Sequence, residues 1–447
     1  MAVIDRLVLD YNPFKKNCEQ VSMRATLSYF GLDLIIDNKN QVHCIEINGQ
    51  NSGSKGFVEA YGEDIVRKNI FQILDSFGLP VTIYVSASKK EESDQWAQEA
   101  FGVKTVNYPK LRLQLCKEAM GKPDLSDKDY CHLEALLDPD AHAAHRQAFY
   151  KLSAERMGLV SPDSSSDSIS LIRNFNQAEG IIWNNTAYDL PFDEGRFIVM
   201  NSRWIEGITK KKNISGMMMF PYSVSANLHP GFSKDILEKN RKFLGESLKK
   251  YFRQGFDKVV FKPLDGSLGQ GVSVFTINDI VDCNFSVRRS FLEKIDAPDK
   301  YFPEDVAENL NYLKARTSGV ILQPFIESKQ FRSSQTGQDH LASIRYSLLA
   351  ESNHSWMSFH NLGGYARLAP EPLGNSRKSQ VANLATGAYA ERLSERDQRK
   401  IEIWIRKAIP NFYRRALRIF HGNLDVDVIN YIAVEDKRNY QQPWLWI

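Results

Sequence analysis

The sequence predicts a mixed α/β (α+β) fold, on three observations. Helical and strand-like patterns alternate between residues 63 and 108. Two apolar runs, Leu32–Ile36 and Val42–Ile47, flank the polar turn Asp37-Asn38-Lys39-Asn40. The strand Val259–Lys262 runs straight into a loop with glycines at 266, 269 and 271. At about 100–200 residues per domain, the 447 residues imply two or three domains.

The first segment reads as a helix over 17–30, followed by the hairpin Leu32–Asn48, whose polar turn between apolar runs is a hairpin signal. Next, EDIVRKNIFQILDSFG has apolar residues at helical spacing and ends on Gly78. LPVTIYVSA is a β-branched strand, KEESDQWAQEAFG a helix and VKTVNY another strand. Such alternation predicts a small parallel, Rossmann-like unit. Residues 108–158 read as a helical insertion, and the Ser/Asp-rich SPDSSSDSIS at 161–170 as a linker. The expected division is therefore 1–56, 57–165 and 166–447.

Past the linker, strands are expected at Gly180–Trp183, Arg196–Met200, Val259–Lys262, Val272–Phe275, Gly319–Gln323, Ala342–Leu349 and Leu424–Ile429. Helices are expected over FSKDILEKNRKFLGESLKKYFRQG, roughly 303–315, and SERDQRKIEIWIRKAIPNFYRRALRIF. FGLDLII at 30–36 is echoed by HGNLDVDVI at 421–429, each after a helical pattern.

Composition narrows the function. Net charge is +3 and the basic runs, such as Lys210-Lys211-Lys212, are short, so no strong field points to nucleic acid or an acidic membrane. No run approaches about 18 uninterrupted apolar residues, so no membrane span is expected. Cys18, Cys44, Cys116, Cys131 and Cys283 are scattered without CxxC spacing, which fits reduced thiols. The N-terminus lacks a signal-peptide core, so the expected location is cytoplasmic, with export by another route left open. His142 and His145 share a helix face, but no third ligand lies near them in sequence. No GxSxG nucleophile signature occurs.

Four stretches carry candidate chemistry. In VVFKPLDGSLGQGV the glycines let backbone N–H groups approach an anion closely, with Lys262 beside them. The order strand–glycines–strand matches neither a P-loop nor a dinucleotide fingerprint. A plain surface hairpin is the equal alternative on this stretch alone. In GLDLIIDNKNQVHCIEINGQNSG, Asp33, Glu46 and Asn48 offer an all-oxygen donor set of the kind Mg²⁺ takes, and Glu46 and Asn48 share one strand face. Solvated acids on an edge strand are the alternative. In GVILQPFI, pairing is expected to stop at Pro324, which has no N–H, freeing backbone beyond it. Arg345, amid an apolar strand, and Arg367, after Gly363-Gly364, could hold a phosphate or carboxylate in bidentate fashion or serve in structural ion pairs.

Together and in this order, these stretches resemble the ATP-grasp superfamily, over roughly 196–430 plus 17–53. KPLDGSLGQGV is similar to its glycine flap and LQPFI to its adenine hinge. SQVANLATGAYAERLSERD resembles the asparagine loop of glutathione synthetases, and FGLDLIID…CIEIN resembles the closing Asp…Glu-x-Asn metal motif. The resemblance implies an ATP-grasp fold with a Rossmann-like pre-grasp unit, and an ATP-dependent carboxylate–amine ligase with ATP and Mg²⁺ as cofactors. It implies Lys262 and one lysine of 210–212, here Lys210, on phosphates, with Gly266, Ser267, Gly269 and Gly271 as flap. It places adenine against Gln323 and the Phe325-Ile326 backbone, Arg345 on an acyl phosphate or substrate, Asn383 near metal or phosphate, and Mg²⁺ on Asp33, Glu46 and Asn48.

The motif order departs from the family, in which Glu-x-Asn closes the sequence. Here it stands near the N-terminus, while Asp425 and Asp427 are followed by no such motif. Two readings fit, a circular permutation in which the N-terminal segment completes the site, which we prefer, and a decayed C-terminal copy with the site completed by one end only; Asp33, Asp425 and Asp427 remain competing metal ligands, with Asp33 preferred because it lies 13 residues before Glu46, a hairpin's span. Expected partners are small-molecule or peptide carboxylates and amines, and a homodimer is compatible with the fold. The alternatives are an ATP-grasp kinase and a non-catalytic nucleotide-binding protein.

Overall fold

The computed structural model describes residues 6–9, 25–48, 54–85, 100–124, 139–159, 172, 174–185, 192–200, 232–263, 271–315, 320–352, 357–372 and 387–422. The mixed α/β (α+β) class holds. Helices pack on a large antiparallel sheet, a parallel sheet and a small antiparallel sheet.

Strand β1 (Arg6–Leu9) is followed by the hairpin β2 (Thr26–Ile36) and β3 (Val42–Asn48). The turn forms where expected. Asp37 Oδ1 accepts the N–H groups of Lys39 and Gln41, at 2.9 and 2.7 Å, and Asn40 takes φ +62°. The helix expected over 17–30 is corrected from Thr26 onward, where the backbone is already strand. The cause is burial on both sides. Leu27 and Tyr29 enter one core while Phe30 and Leu32 enter another, so the polar alternation that marks a half-buried strand is missing.

Helix α1 (Ser54–Tyr61) and helix α2 (Ile65–Asp75) follow, the latter capped by Asp64, whose side chain accepts the Arg67 N–H. Strands β4 (Val81–Val85) and β5 (Lys104–Asn107) pair in parallel. The predicted 108–158 insertion contains α3 (Tyr108–Met120) and α4 (Pro139–Met157). Strands β6 (Gly180–Asn185) and β7 (Phe197–Met200) complete a parallel sheet in the order β5-β4-β6-β7. This sheet therefore spans both sides of the 161–170 segment at which the sequence divides the chain. One of its faces buries Ile83, Trp183 and Met200 against α2; the other buries Tyr84, Ile182 and Val199 against Leu115 and Met157 of the insertion.

The long helix read over 232–255 is broken at Asn240 into α5 (Lys234–Lys239) and α6 (Arg241–Arg253). Strands β8 (Lys258–Pro263) and β9 (Ser273–Thr276) flank the glycine loop. They share a core with α6, α7 (Arg289–Asp296), α8 (Glu304–Ala315) and β10 (Val320–Pro324), in the sheet order β10-β8-β9. Pairing does not stop at Pro324: it faces Val259, and the Phe325 N–H donates to Lys258 O at 2.9 Å. β10 is an edge strand, where the missing N–H of proline costs no ladder bond.

A two-residue ribbon pairs β11 (Phe331–Arg332) with β12 (Asp339–His340). Then come β13 (Ala342–Ser352), β14 (Met357–Leu368), β15 (Tyr389–Arg392) and α9 (Glu395–Gly422). The large sheet runs β1-β14-β13-β2-β3, with β15 on β14. The N-terminal hairpin thus lies directly beside β13, which comes more than 300 residues later in the chain. One sheet face packs Leu32, Leu34, Ile344 and Tyr346 on Ile401, Ile405 and Ile409 of α9. The other packs Tyr29, Leu349 and Tyr365 on Phe57 of α1 and on α2.

Gly56 marks how tightly α1 sits on that second face: a Cβ there would overlap the hydroxyl edge of Tyr365. Overpacking of this kind typically costs about 1–3 kcal/mol. Gly56→Ala is therefore expected to lower unfolding free energy by about that much in urea titration, whereas Gly62→Ala, whose added Cβ meets nothing, is set only by its φ of +83°.

Candidate functional site

The hairpin and β13 bring charge into a row. Across the sheet, Arg345 of β13 stands opposite Asp33 of β2, and Asp33 stands opposite Glu46 of β3. Two-residue periodicity puts Arg345 and Asp33 on the face away from α9. Arg367 joins them from β14, two residues along from Tyr365, the register partner of Arg345.

Asp33 is buried and accepts from four donors. Arg345 Nε reaches Oδ1 at 2.6 Å and Arg345 Nη2 reaches Oδ2 at 3.2 Å. Arg367 Nη2 lies 2.9 Å from Oδ1, and Asn48 Nδ2 donates to Oδ2 at 3.5 Å. Burial by itself raises the Asp33 pKa, but the attraction and hydrogen bonds of the two arginines outweigh it and hold the carboxyl below its ordinary value. Arg345 moves upward: burial opposes its charge, and Asp33 more than compensates. Nearby, Tyr29 donates to or accepts from Ser347 Oγ at 2.8 Å, and burial pushes its hydroxyl up to about 12.

Magnesium is the ion the resemblance implies, and the donor set fits it only in part. An ionised carboxylate has about four lone-pair sites, and on Asp33 four donors already occupy them. Glu46 and the Asn48 side-chain oxygen remain as oxygen donors on β3. Among the described residues, no group of three or more His, Cys, Asp or Glu side chains could hold a metal ion.

The small sheet supplies the other expected residues. Lys262 pairs in register with Ile321, and the Cys44 thiol of β3 is pushed upward by burial and by the nearby Asp33 charge. Gly271, at φ +71°, donates its N–H to Asn309 Oδ1 of α8 at 2.8 Å. Gln323 is buried, and among the described residues its Nε2 has no hydrogen-bond partner. The Phe325 N–H, expected to be free for adenine, is instead held by Lys258 O; Ile326 is buried. Lys210, Lys211, Lys212, Gly266, Ser267, Gly269, Asn383, Asp425, Asp427 and the strand expected at Leu424–Ile429 lie outside the described residues.

Arg367, read from sequence as an anion holder or a structural ion-pair residue, is found in an ion pair with Asp33. Asn309 had no signal in sequence, being one polar residue in an ordinary amphipathic helix.

No family model and no curated protein sequence matches this chain. Among solved structures, it aligns with a crystal structure of a provisionally named gamma-glutamylcysteine synthetase from Methylobacillus flagellatus KT. Identity is 11%, the TM-score 0.37, and the alignment covers 94% of this chain and 90% of that one. A superposition this loose carries no argument about activity. Among the described residues, no helix is long and apolar enough to cross a membrane.

Removing one partner of a buried ion pair typically costs about 3–5 kcal/mol. Asp33→Asn is expected to destabilise by about that amount at pH 7 in denaturant titration. Because the folded-state pKa of Asp33 is depressed, its contribution is complete above the unfolded carboxylate value of about 3.9 and is lost as pH falls through the folded value. The gap between variant and wild type should therefore narrow only below about pH 4.

Proposed function

We propose that the chain is an ATP-dependent carboxylate–amine ligase of the ATP-grasp type, forming an amide through an acyl phosphate. The observation that carries this reading is the sheet pairing that sets Asp33 and Glu46 beside Arg345. A permuted motif order needs that placement: the N-terminal hairpin has to reach the strand that bears the substrate arginine. It also accounts for a Glu-x-Asn motif that precedes the glycine loop in sequence.

In this reading a substrate carboxylate oxygen takes the γ-phosphoryl group, releasing ADP, and an amine then displaces phosphate. The protein's task in the first step is positioning and charge neutralisation. Lys262 holds a phosphate oxygen, and Arg345 balances charge on the acyl phosphate. Glu46 and Asn48 are the residues left to hold Mg²⁺, which when bound would screen charge between phosphates. Gln323 offers its unpartnered Nε2 to the nucleotide base. Lys210, Asn383 and the Gly266–Gly269 loop retain the phosphate roles that the resemblance implies. Substrates are small carboxylates and amines, amino acids or peptides among them.

A second reading, a nucleotide-binding protein without turnover, is favoured by the saturation of Asp33. The two separate by assay. With Mg-ATP and pooled amino acids and short peptides, the ligase releases ADP and phosphate in an amine-dependent way. Lys262→Met should lower that release by about 10²-fold or more, the loss typical of one such charge-stabilising donor; unchanged turnover contradicts the proposal. ATP bound but never turned over, with any substrate, supports the second reading.

Gln323→Met gives a separate check. An orphaned buried amide costs about 1–3 kcal/mol, so the variant is expected to be at least as stable as wild type without ligand. Its ATP affinity, read by calorimetry, should fall about tenfold, a loss of about 1.4 kcal/mol. A variant that binds ATP normally removes Gln323 from the nucleotide site.

A further inference from the structure

We propose that Asp33 is a positioning residue, a clamp that fixes Arg345 and Arg367 as a pair facing one anion, and that it does not ligate a metal. The saturation of its oxygens is the first ground. Four donors from three side chains meet the carboxylate, and every one comes from a nitrogen that a cation would have to displace. Charge is the second ground. Two guanidiniums close on the one buried carboxylate of Asp33, and Glu46, its register partner on the same face, is the other acid of the row.

The third ground is an unused donor. Arg367 Nε is buried and, among the described residues, has no hydrogen-bond partner. A guanidinium presents its N–H groups in a fixed fork that suits planar or tetrahedral oxyanions. Asp33 takes Nη2 of Arg367 and so sets the orientation of the guanidinium, whose Nε–H on the same edge is the single donor left for an acceptor. The ligand chemistry is an oxyanion, either a carboxylate or a phosphoryl group. Without Asp33, two like charges would face each other in a site of low dielectric and lose their shared geometry.

The inference concerns the same face as the proposed ligase site but does not need ATP, so it can be tested without turnover. The probes are inorganic phosphate and acetate by calorimetry, and Mn²⁺ alone by the loss of its free electron-spin signal, on the full chain. Wild type should bind phosphate or acetate, and the tighter of the two identifies the oxyanion class. Arg367→Lys, which keeps the charge but lacks Nε–H and the fork, should weaken that anion at least tenfold and leave Mn²⁺ affinity within threefold. Asp33→Asn should do the same, whereas Glu46→Gln should lose Mn²⁺ and keep the anion.

Wild type that takes up neither anion, or an Arg367→Lys variant that binds it normally, overturns the proposal. So does an Asp33→Asn variant that loses Mn²⁺ affinity as Glu46→Gln does. Should Asp33→Asn fail to fold, the Arg367→Lys result decides. Normal anion binding by Arg367→Lys in a protein that still forms amides would sink the clamp and keep the ligase; lost anion binding in a protein that never releases ADP would do the reverse.

Discussion

A buried carboxylate has to be compensated, and the structure around the site follows from how Asp33 meets that demand. Its partners come from strands more than 300 residues away in sequence, Arg345 on β13 and Arg367 on β14. An ionised group placed there without them would be far too costly to bury. The N-terminal hairpin can therefore dock on β13 in only one register. A slip of one residue would turn Asp33 toward Ile401 and Ile405 of α9 and turn Leu32 and Leu34 out of their core.

That register places the rest. Glu46 and Asn48 come to lie beside Asp33 because β3 follows β2 through a tight turn held by Asp37. Tyr365 falls beside Arg345 and is covered by α1, the helix that starts a few residues after Asn48 and has glycine where the ring passes. Lys262 lies on β8 of the small sheet, the strand that runs into the glycine loop. Asp33, Glu46, Arg345 and Arg367, far apart in the chain, thus share one sheet face with little freedom to shift, which is what a site that orients charged reactants needs.

Much of this was legible in the sequence, for identifiable reasons. The hairpin, α2, the strands about the glycine loop and the parallel strands declare themselves by period and by turn residues. The strand at 26–30 did not, since Leu27, Tyr29, Phe30 and Leu32 are buried on opposite faces and leave no alternation to read. Pro324 misled because its effect depends on being at an edge, which sequence does not record. The grouping of Asp33, Glu46, Asn48 and Arg345 could be reached through motif resemblance, but the partner of Asp33 could not. An Asp that will meet two arginines and an Asp that will meet a cation look alike in sequence; the difference lies in which strand arrives next to it.

The central claim is that the β2–β3 hairpin builds the site with Asp33 on the arginines and β3 on the cation. Anomalous diffraction from crystals of the full chain soaked in Mn²⁺ and a non-hydrolysable ATP analogue tests it most directly. The account predicts a manganese peak beside Glu46 and Asn48, with Arg345 and Arg367 still on Asp33. A peak within bonding distance of an Asp33 oxygen, with either arginine displaced, would contradict it.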